Sequence, residues 1–259
     1  KVSENADFSL QLFGLDASRS AVGYRSNRVS NPDIDGTVRD LMIGDFVNWG
    51  AEARYLKRYS LNDNNNAFLI GAKYYQAKNS SIQGPGSSGS DADFDLAIDE
   101  FPLYANQSEY EYPNLNLALF GENIFRFGQN FSITPGFRFE YIKTQADGYY
   151  RKINTDLAGN VILDETIDED VVKERSFALF GVGLSYKPIN QLEYYGNISQ
   201  NYRSVTFNDI RTVSPSQVIA PDITDERGFT TDVGARGLLI PNLSFDASVF
   251  ALYYNDKIG

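Results

Sequence analysis

The charged residues that could act together in this sequence come as neighbours of opposite sign. They are Glu52 with Arg54, Arg138 with Glu140, and Asp232 with Arg236. The 259-residue chain contains no His and no Cys, which excludes Ser–His catalysis, thiol catalysis and the usual zinc sites within it. The acids also form no evident fixed pair of the kind that hydrolyses glycosides. These residue types favour binding over catalysis, and we expect no enzyme.

One run has the spacing of metal ligands. Asp91, Asp93 and Asp95 form the opening D-x-D-x-D of a calcium loop. Leu96 stands where such a loop needs Gly, and Pro102 stands where it needs Glu, so an EF-hand is excluded. A looser contact with a divalent ion stays open, but a solvated acidic segment is the expectation. We predict no metal site and no cofactor.

The elements that must position these charges are strands. Residues Phe131 to Tyr141 place apolar side chains at every odd position and small or charged ones at every even position. Successive side chains of a strand point to opposite faces, so this segment has one apolar face and one polar face. The same alternation recurs in about nine segments, including residues 68–74, 115–119 and 243–253. No helical period competes with it, and the expected fold class is all-β.

Two kinds of connection alternate between these segments. Short ones, rich in turn-forming residues, cover residues 61–66, 128–130, 188–191 and 240–242. Long ones cover residues 25–41, 81–113, 151–172 and 207–223. Short turns on one edge and long loops on the other are typical of an antiparallel up-and-down transmembrane β-barrel. We therefore expect the apolar face to contact outer-membrane lipid and the polar face to line a lumen.

The charge of the chain agrees with that layout. The formal net charge is −11, and residues 81–113 hold seven acids without a base, while residues 151–172 hold six acids against Arg151 and Lys152. The rest of the chain has as many acids as bases. Charges on a lipid face would each cost about 2–4 kcal/mol near mid-membrane, whereas charges facing a wet lumen cost little. The alternative is a soluble sheet with solvated charges on its outside.

Three ordered segments resemble a known family. The run Thr134-Pro-Gly-Phe-Arg-Phe-Glu140 is similar to the T-P-G-x-R-x-E strand of TonB-dependent outer-membrane receptors. Residues 192–210 resemble the Y-x-N-x-S-x-x-[FY]-R segment that follows it, and residues 225–237 resemble the E-x-G-x-x-x-D-x-G-x-R-G strand after that. The resemblance covers most of the chain and points in particular to receptors of the ferric-dicitrate type.

The resemblance implies a barrel of about 22 strands that encloses an N-terminal plug domain. About nine strands cannot close such a barrel, so residues 1–259 are expected to form a partial barrel domain, with the plug and the C-terminal strands outside this chain. The resemblance also implies the bacterial outer membrane as the location and active uptake of an iron chelate. The implied partners are the ferric chelate, the TonB complex through the plug, and membrane lipid, with no nucleic acid. Iron would enter only as part of the transported chelate.

The resemblance also assigns roles to individual charges. Arg19, Arg25 and Arg203 have lumen parity near the long-loop end, where an anionic ferric chelate would meet them. The alternative for each is a rim arginine paired with an acid of a loop. The mid-strand residues Glu52, Arg54, Arg138 and Glu140 are the candidates for contact with the plug.

Other functions remain open at this point. A passive porin or an adhesin-type barrel would lack the plug and would conduct ions when reconstituted. The acidic segments also disfavour an anionic ligand, since they would repel it at long range unless cations or the lumen arginines compensate.

Overall fold

The computed structural model describes residues 2–24, 36–89, 93–206, 209, 223–240 and 242–258. These residues form a single sheet of nine strands in the order of the chain, and every neighbouring pair is antiparallel. The strands are β1 (Ala6–Gly23), β2 (Asp40–Leu61), β3 (Asn64–Pro85), β4 (Ser108–Phe127), β5 (Phe131–Thr155), β6 (Val161–Ile189), β7 (Leu192–Arg203), β8 (Glu226–Ile240) and β9 (Leu243–Asn255). The fold is therefore an up-and-down sector of a barrel, as the alternation predicts. Within the described ranges no helix is long and apolar enough to cross a membrane.

The register between neighbouring strands places their polar positions on one continuous face of the sheet. Arg54 of β2 lies opposite Gly71 of β3, which lies opposite Phe120 of β4, which lies opposite Arg138 of β5. We call this side of the sheet the inner face. The other side, which carries Phe137 and Phe139, is the outer face.

The outer face is not packed against a second layer. Phe137 is 42% exposed, Phe139 is 46% exposed and Val249 is 80% exposed. In a soluble sandwich these side chains would form the core. Their exposure on one side of a single sheet fits a surface that contacts lipid.

The short turns follow from local backbone chemistry. Asn62 and Asp63 both have positive φ, at 50° and 60°, which is the backbone of a two-residue type I′ hairpin turn. Asn64 to Asn66 already belong to β3, so the turn is shorter than the Asn-rich run suggests. Gly128 adopts φ of 65° in the next short turn.

One predicted long loop is wrong. Residues 151–172 are mostly strand: β5 continues to Thr155, β6 begins at Val161, and only a tight turn joins them. The acids of this segment indicate contact with water, which is typical of a loop. A strand that projects beyond the membrane is also in water and can expose acids on both faces. β6 has 29 residues, about 95 Å of extended chain, whereas a membrane strand needs about 9–11 residues. The predicted loop 81–113 is likewise shorter and covers residues 86–107.

The ladder between β6 and β7 is short for such long strands. It runs from Ile189 and Leu192 to Gly181 and Ser199 and then stops. Just above this point the side-chain Oε1 of Gln200 accepts the backbone N–H of Phe180 at 2.9 Å. A side chain thus replaces the backbone partner where the two strands part.

The buried residues concentrate at the end of the sheet that carries the long connections. Tyr110, Tyr112, Ala146 and Val205 form a small cluster there, and Val171, Ile223 and Ile258 pack against it. Val205 and Ile223 of the β7–β8 connection therefore pack against the inner face at this rim.

Candidate functional site

Two of the ion pairs on the inner face are each formed within one strand. The Arg54 guanidinium pairs with Glu52, and the Arg138 guanidinium pairs with Glu140. The second Glu140 oxygen accepts a hydrogen bond from Asn116 Nδ2 at 2.6 Å. The structure therefore places the four candidates for plug contact on one face, but as two separate pairs on β2 and β5.

A flat aromatic ring separates the Arg138 guanidinium from the backbone of the wall. The Phe120 ring covers Gly71, where a Cβ atom would lie only 2.6 Å from Phe120 Cε2. The Arg138 guanidinium lies over the same ring, 5.4 Å from its centroid. Glycine, aromatic ring and cation thus stack in that order.

The same stack occurs twice more on the inner face. Its members are Gly50, Phe13 and Lys73 in one case and Gly234, Tyr195 and Arg236 in the other, with cation-to-centroid distances of 5.6 and 5.3 Å. In each stack the aromatic ring comes from a different strand than the glycine that it covers. Sequence reasoning missed them because only the register brings them together.

A depression lies beside the Arg138 stack, where the wall has few side chains. Its floor is formed by Gly136, Gly181 and Gly183, with Arg54 and Asn197 among the residues around it. The volume is about 580 Å³, within the range of small-ligand pockets. A Cβ on Gly136 or Gly183 would meet nothing closer than 3.5 Å, so wall packing does not require these glycines.

The three arginines predicted to bind substrate have different environments. Arg19 is exposed on the inner face, with its guanidinium 6.0 Å from the Phe46 ring centroid. Arg203 forms ion pairs with Glu226 at 2.9 Å and with Asp209 at 3.3 Å. Arg25 lies outside the described residues. The pairing of Arg203 is the alternative that sequence reasoning had left open.

Asp209 is held as a carboxylate by several donors. Burial alone would raise its pKa, but hydrogen bonds from the Thr206 N–H and hydroxyl, together with Arg203, lower the pKa below its ordinary value. Glu226, only 6% exposed, also accepts the Ile258 N–H at 2.8 Å. Arg203 therefore ties together the β7–β8 connection and the residues after β9.

Two further polar anchors at the rim escaped sequence reasoning. Arg175 pairs with Asp225 at 2.9 Å and donates to the Val205 carbonyl at 3.0 Å, which fixes the β7–β8 connection. Asp40 accepts hydrogen bonds from Gln83 Nε2 at 2.9 Å and from the Tyr104 hydroxyl at 2.9 Å, which fixes the β3–β4 connection. Both involve residues of long connections, whose positions no periodicity reveals.

The tip of the β5–β6 hairpin is closed by Asp156. Its side chain accepts hydrogen bonds from Asn160 Nδ2 at 2.9 Å, Asn160 N at 2.8 Å and Ala158 N at 2.9 Å. The Asn160 side chain contributes most to holding the pKa of Asp156 below its ordinary value. Among the described residues no group of three or more His, Cys, Asp or Glu is placed to hold a metal ion.

Comparison with known proteins gives one family. Residues 2–259 match the family model described as TonB dependent receptor-like, beta-barrel. No curated protein matches the chain significantly.

Solved structures share the fold at low sequence identity. The unliganded ferric citrate transporter FecA is 16% identical with a TM-score of 0.71, over 100% of this chain and 33% of that one. The copper transporter OprC is 15% identical with a TM-score of 0.67, over 98% and 38%. The ferric yersiniabactin uptake receptor FyuA from Yersinia pestis is 15% identical with a TM-score of 0.64, over 96% and 33%. The chain thus spans about a third of the length of these structures.

Proposed function

Because the chain belongs to the TonB dependent receptor-like β-barrel family of the outer membrane, we propose that it forms part of the wall of an active transporter for an anionic iron chelate. The similar structures include a ferric citrate transporter, a ferric yersiniabactin receptor and a copper transporter. The names of these similar structures support metal uptake as the class of activity. Ferric citrate or another siderophore is the proposed substrate, and the TonB complex and a plug segment are the proposed partners.

The observation that carries the substrate proposal is the exposed guanidinium of Arg19 on the inner face. It lies on β1 toward the long connection, on the same side of the sheet as the Arg54 and Arg138 pairs. A guanidinium held over an aromatic ring keeps its donors directed outward, where a carboxylate can accept two of them. Arg25 follows on the same connection.

Arg203 is proposed for a different step of recognition. It already contacts two carboxylates, so an anionic chelate must displace Asp209 before it can bind there. We therefore propose that Arg19 captures the chelate directly. We propose that Arg203 exchanges Asp209 for the chelate, which couples chelate binding to the β7–β8 connection.

Growth on defined iron sources tests this proposal. A strain that lacks the receptor gene is complemented with the full-length gene, either unchanged or with Arg19→Ala, and supplied with ferric citrate or other ferric chelates. Uptake that depends on the gene and on TonB is expected, with Arg19→Ala raising the chelate concentration needed. Arg58→Ala is the matched control, since Arg58 pairs with Asp7 near the opposite, short-turn end.

A passive barrel gives a different result. It would conduct ions after reconstitution, and growth on the chelate would be independent of TonB. That outcome would replace active transport by the porin function.

The mid-strand pairs are proposed to contact the plug segment. Exchanging the two residues of one pair, Glu52→Arg with Arg54→Glu, keeps an ion pair within β2 but reverses its order along the strand. We expect passive leakage of large solutes through the receptor to increase. The control is the same exchange at Lys143 and Glu174, a pair 2.9 Å apart on the outer face near the rim.

A further inference from the structure

One lysine stands alone on the lipid-facing part of the outer face. We call residues that lie opposite one another on successive strands a rung. Between the rung of Tyr59 and the rung of Tyr74, Lys57 is the only charged residue at an outer position of the described strands β1 to β6. A charged side chain on the lipid face costs free energy unless it reaches water or pairs with another group. Lys57 therefore indicates a place where the outer face meets a partner.

The position of Lys57 corresponds to the level where lipid headgroups meet hydrocarbon. Lys57 lies four residues before Leu61, the end of β2 at a short turn, and the short turns of such barrels face the periplasm. Tyr59, the next outer position toward the turn, donates from its hydroxyl to Asn123 Oδ1 at 3.1 Å, and Tyr is typical of the membrane–water interface. Lys57 is exposed and has no ion pair or hydrogen bond with any described side chain. Its ammonium is thus available to a group outside the protein.

An apolar hollow begins beside Lys57 and extends toward the middle of the membrane. Its volume is about 450 Å³. Its outer-face lining consists of Phe68, Ile70, Gly121, Pro135, Phe137 and Phe180, with Asn123 at its edge. Phe68 lies directly opposite Lys57, and Ile70 and Gly121 belong to the next rung. Glu122 also borders the hollow, but it lies opposite Gly136 at an inner position.

A second apolar hollow of about 480 Å³ follows farther along the same strands. Its floor consists of Ala51, Ala53 and Ala72. Lys73 borders it, but the Lys73 ammonium lies over an aromatic ring of the inner face. From Lys57 to Ala51 the strand rises about 20 Å, which at a tilt of about 45° is about 15 Å along the membrane normal. That distance is half of the hydrocarbon thickness of about 30 Å, so the lysine and the two hollows span the depth of one leaflet.

We propose that Lys57 and the two hollows bind one anionic phospholipid of the periplasmic leaflet. The Lys57 ammonium pairs with the lipid phosphate, and one acyl chain lies along the hollows, where it covers apolar surface. An anionic lipid is favoured over a zwitterionic one because Lys57 contributes a positive charge that no described side chain balances. This site depends on the contact of the outer face with lipid and not on the transported chelate. Chelate uptake and lipid binding can therefore fail independently.

The test counts lipids bound to the full-length receptor, purified in detergent, by native mass spectrometry. The receptor is titrated with phosphatidylglycerol or with phosphatidylethanolamine. Lys57→Gln should weaken the binding of one phosphatidylglycerol by about fivefold and change the binding of phosphatidylethanolamine less. Arg58→Gln is the matched control, since it makes the same charge change one residue away, but Arg58 lies on the inner face and pairs with Asp7. Equal phosphatidylglycerol binding by the two variants would overturn the proposal.

A second pair of variants tests the place of the acyl chain. Ala72→Leu adds bulk to the floor of the second hollow and should lower the binding of phosphatidylglycerol. Ala247→Leu makes the same change at an exposed outer position of β9 and should leave binding as it is. Equal effects of these two substitutions would contradict the assignment of the chain to the hollows.

The unchanged receptor provides a measurement that does not depend on the folding of any variant. Phosphatidylglycerol with a photoreactive group on its acyl chain should label β3 and β4, which line both hollows, more strongly than the other strands. Labelling spread evenly over the outer face would show ordinary surrounding lipid only and would overturn the proposal.

Discussion

Substitution of Gly71 by Ala tests whether the Phe120 ring is held flat against the wall. The added Cβ would lie 2.6 Å from Phe120 Cε2, even closer to Cζ, and 3.0 Å from the Ala53 carbonyl oxygen. The ring must leave the wall, and the Arg138 guanidinium 5.4 Å above it loses its platform. Overpacking of this kind costs about 1–3 kcal/mol, and an exposed cation–π contact contributes about 0.5–1 kcal/mol. We expect the free energy of unfolding to fall by about 1–3 kcal/mol.

The effect should become smaller when the ring is absent. In a Phe120→Ala background nothing of the ring remains to clash, and Ala in a strand is favoured over Gly by about 0.5–1 kcal/mol. Gly71→Ala should then cost less than in the unchanged receptor, because only the 3.0 Å contact with the Ala53 carbonyl oxygen opposes it. The double-mutant cycle therefore isolates the ring contact from the backbone effect.

Gly136→Ala is the matched control. Its Cβ would meet the Glu122 Cβ at 3.5 Å, an ordinary contact, so no loss of stability is expected. The assay is urea-induced unfolding of the full-length receptor refolded into lipid vesicles. If Gly71→Ala and Gly136→Ala had the same effect, the reasoning about the ring would be refuted.

Three further predictions concern the anchors at the rim. Asp40→Ala removes an acceptor of two hydrogen bonds, and limited proteolysis should cut the β3–β4 connection faster while the strands stay intact. Arg175→Ala leaves the partly buried Asp225 without its cation and should cost about 1–3 kcal/mol in an unfolding titration, with a smaller loss when Asp225 is also changed to Ala. The lowered pKa of Asp209 means that its contribution is complete above the ordinary Asp range and is lost only as pH falls through the lower folded value. Proteolysis of the β7–β8 connection should therefore be unchanged between about pH 7 and pH 5, whereas Asp209→Asn should already accelerate it at pH 7.

The strands were predictable because each is two-faced along its own sequence. The alternation from Phe131 to Tyr141 gives both the element and the face of Arg138, without knowledge of any neighbour. The same holds for Arg19, whose parity places it on the inner face as the structure does. Local periodicity thus predicts that a segment is a strand and on which face each of its side chains lies.

The length of β5 and β6 was not predictable from the same signal. Residues 161–170 expose acids on both faces, so their alternation is lost and they resemble a loop. The β-branched residues Val161, Ile162, Thr166 and Ile167 favour a strand, but the charge of the segment outweighed that propensity in the prediction. A membrane strand that continues into water loses the contrast between its two faces.

The environment of the site residues depends on register and on the long connections. Phe120 covers Gly71 because these residues are opposite each other on neighbouring strands, a relation that one strand does not contain. Arg203 meets Asp209 and Glu226 because the β7–β8 connection returns to the rim. Sequence reasoning therefore identified the charged residues but not their partners.

The two ion pairs that form within a single strand of the inner face affect anything that docks there. Arg54 takes its acid from two residues away on its own strand, and so does Arg138, so each charge is balanced without a neighbouring strand or a second domain. A docking partner must compete with a pair that already exists, and each new contact contributes only the difference between two ion pairs. When the partner leaves, no uncompensated charge remains on the wall. An uncompensated charge is the main cost of breaking an ordinary buried ion pair, and this wall avoids it. Under the proposal that a plug segment docks on this face, such a wall would combine specific contacts with a low cost of separation.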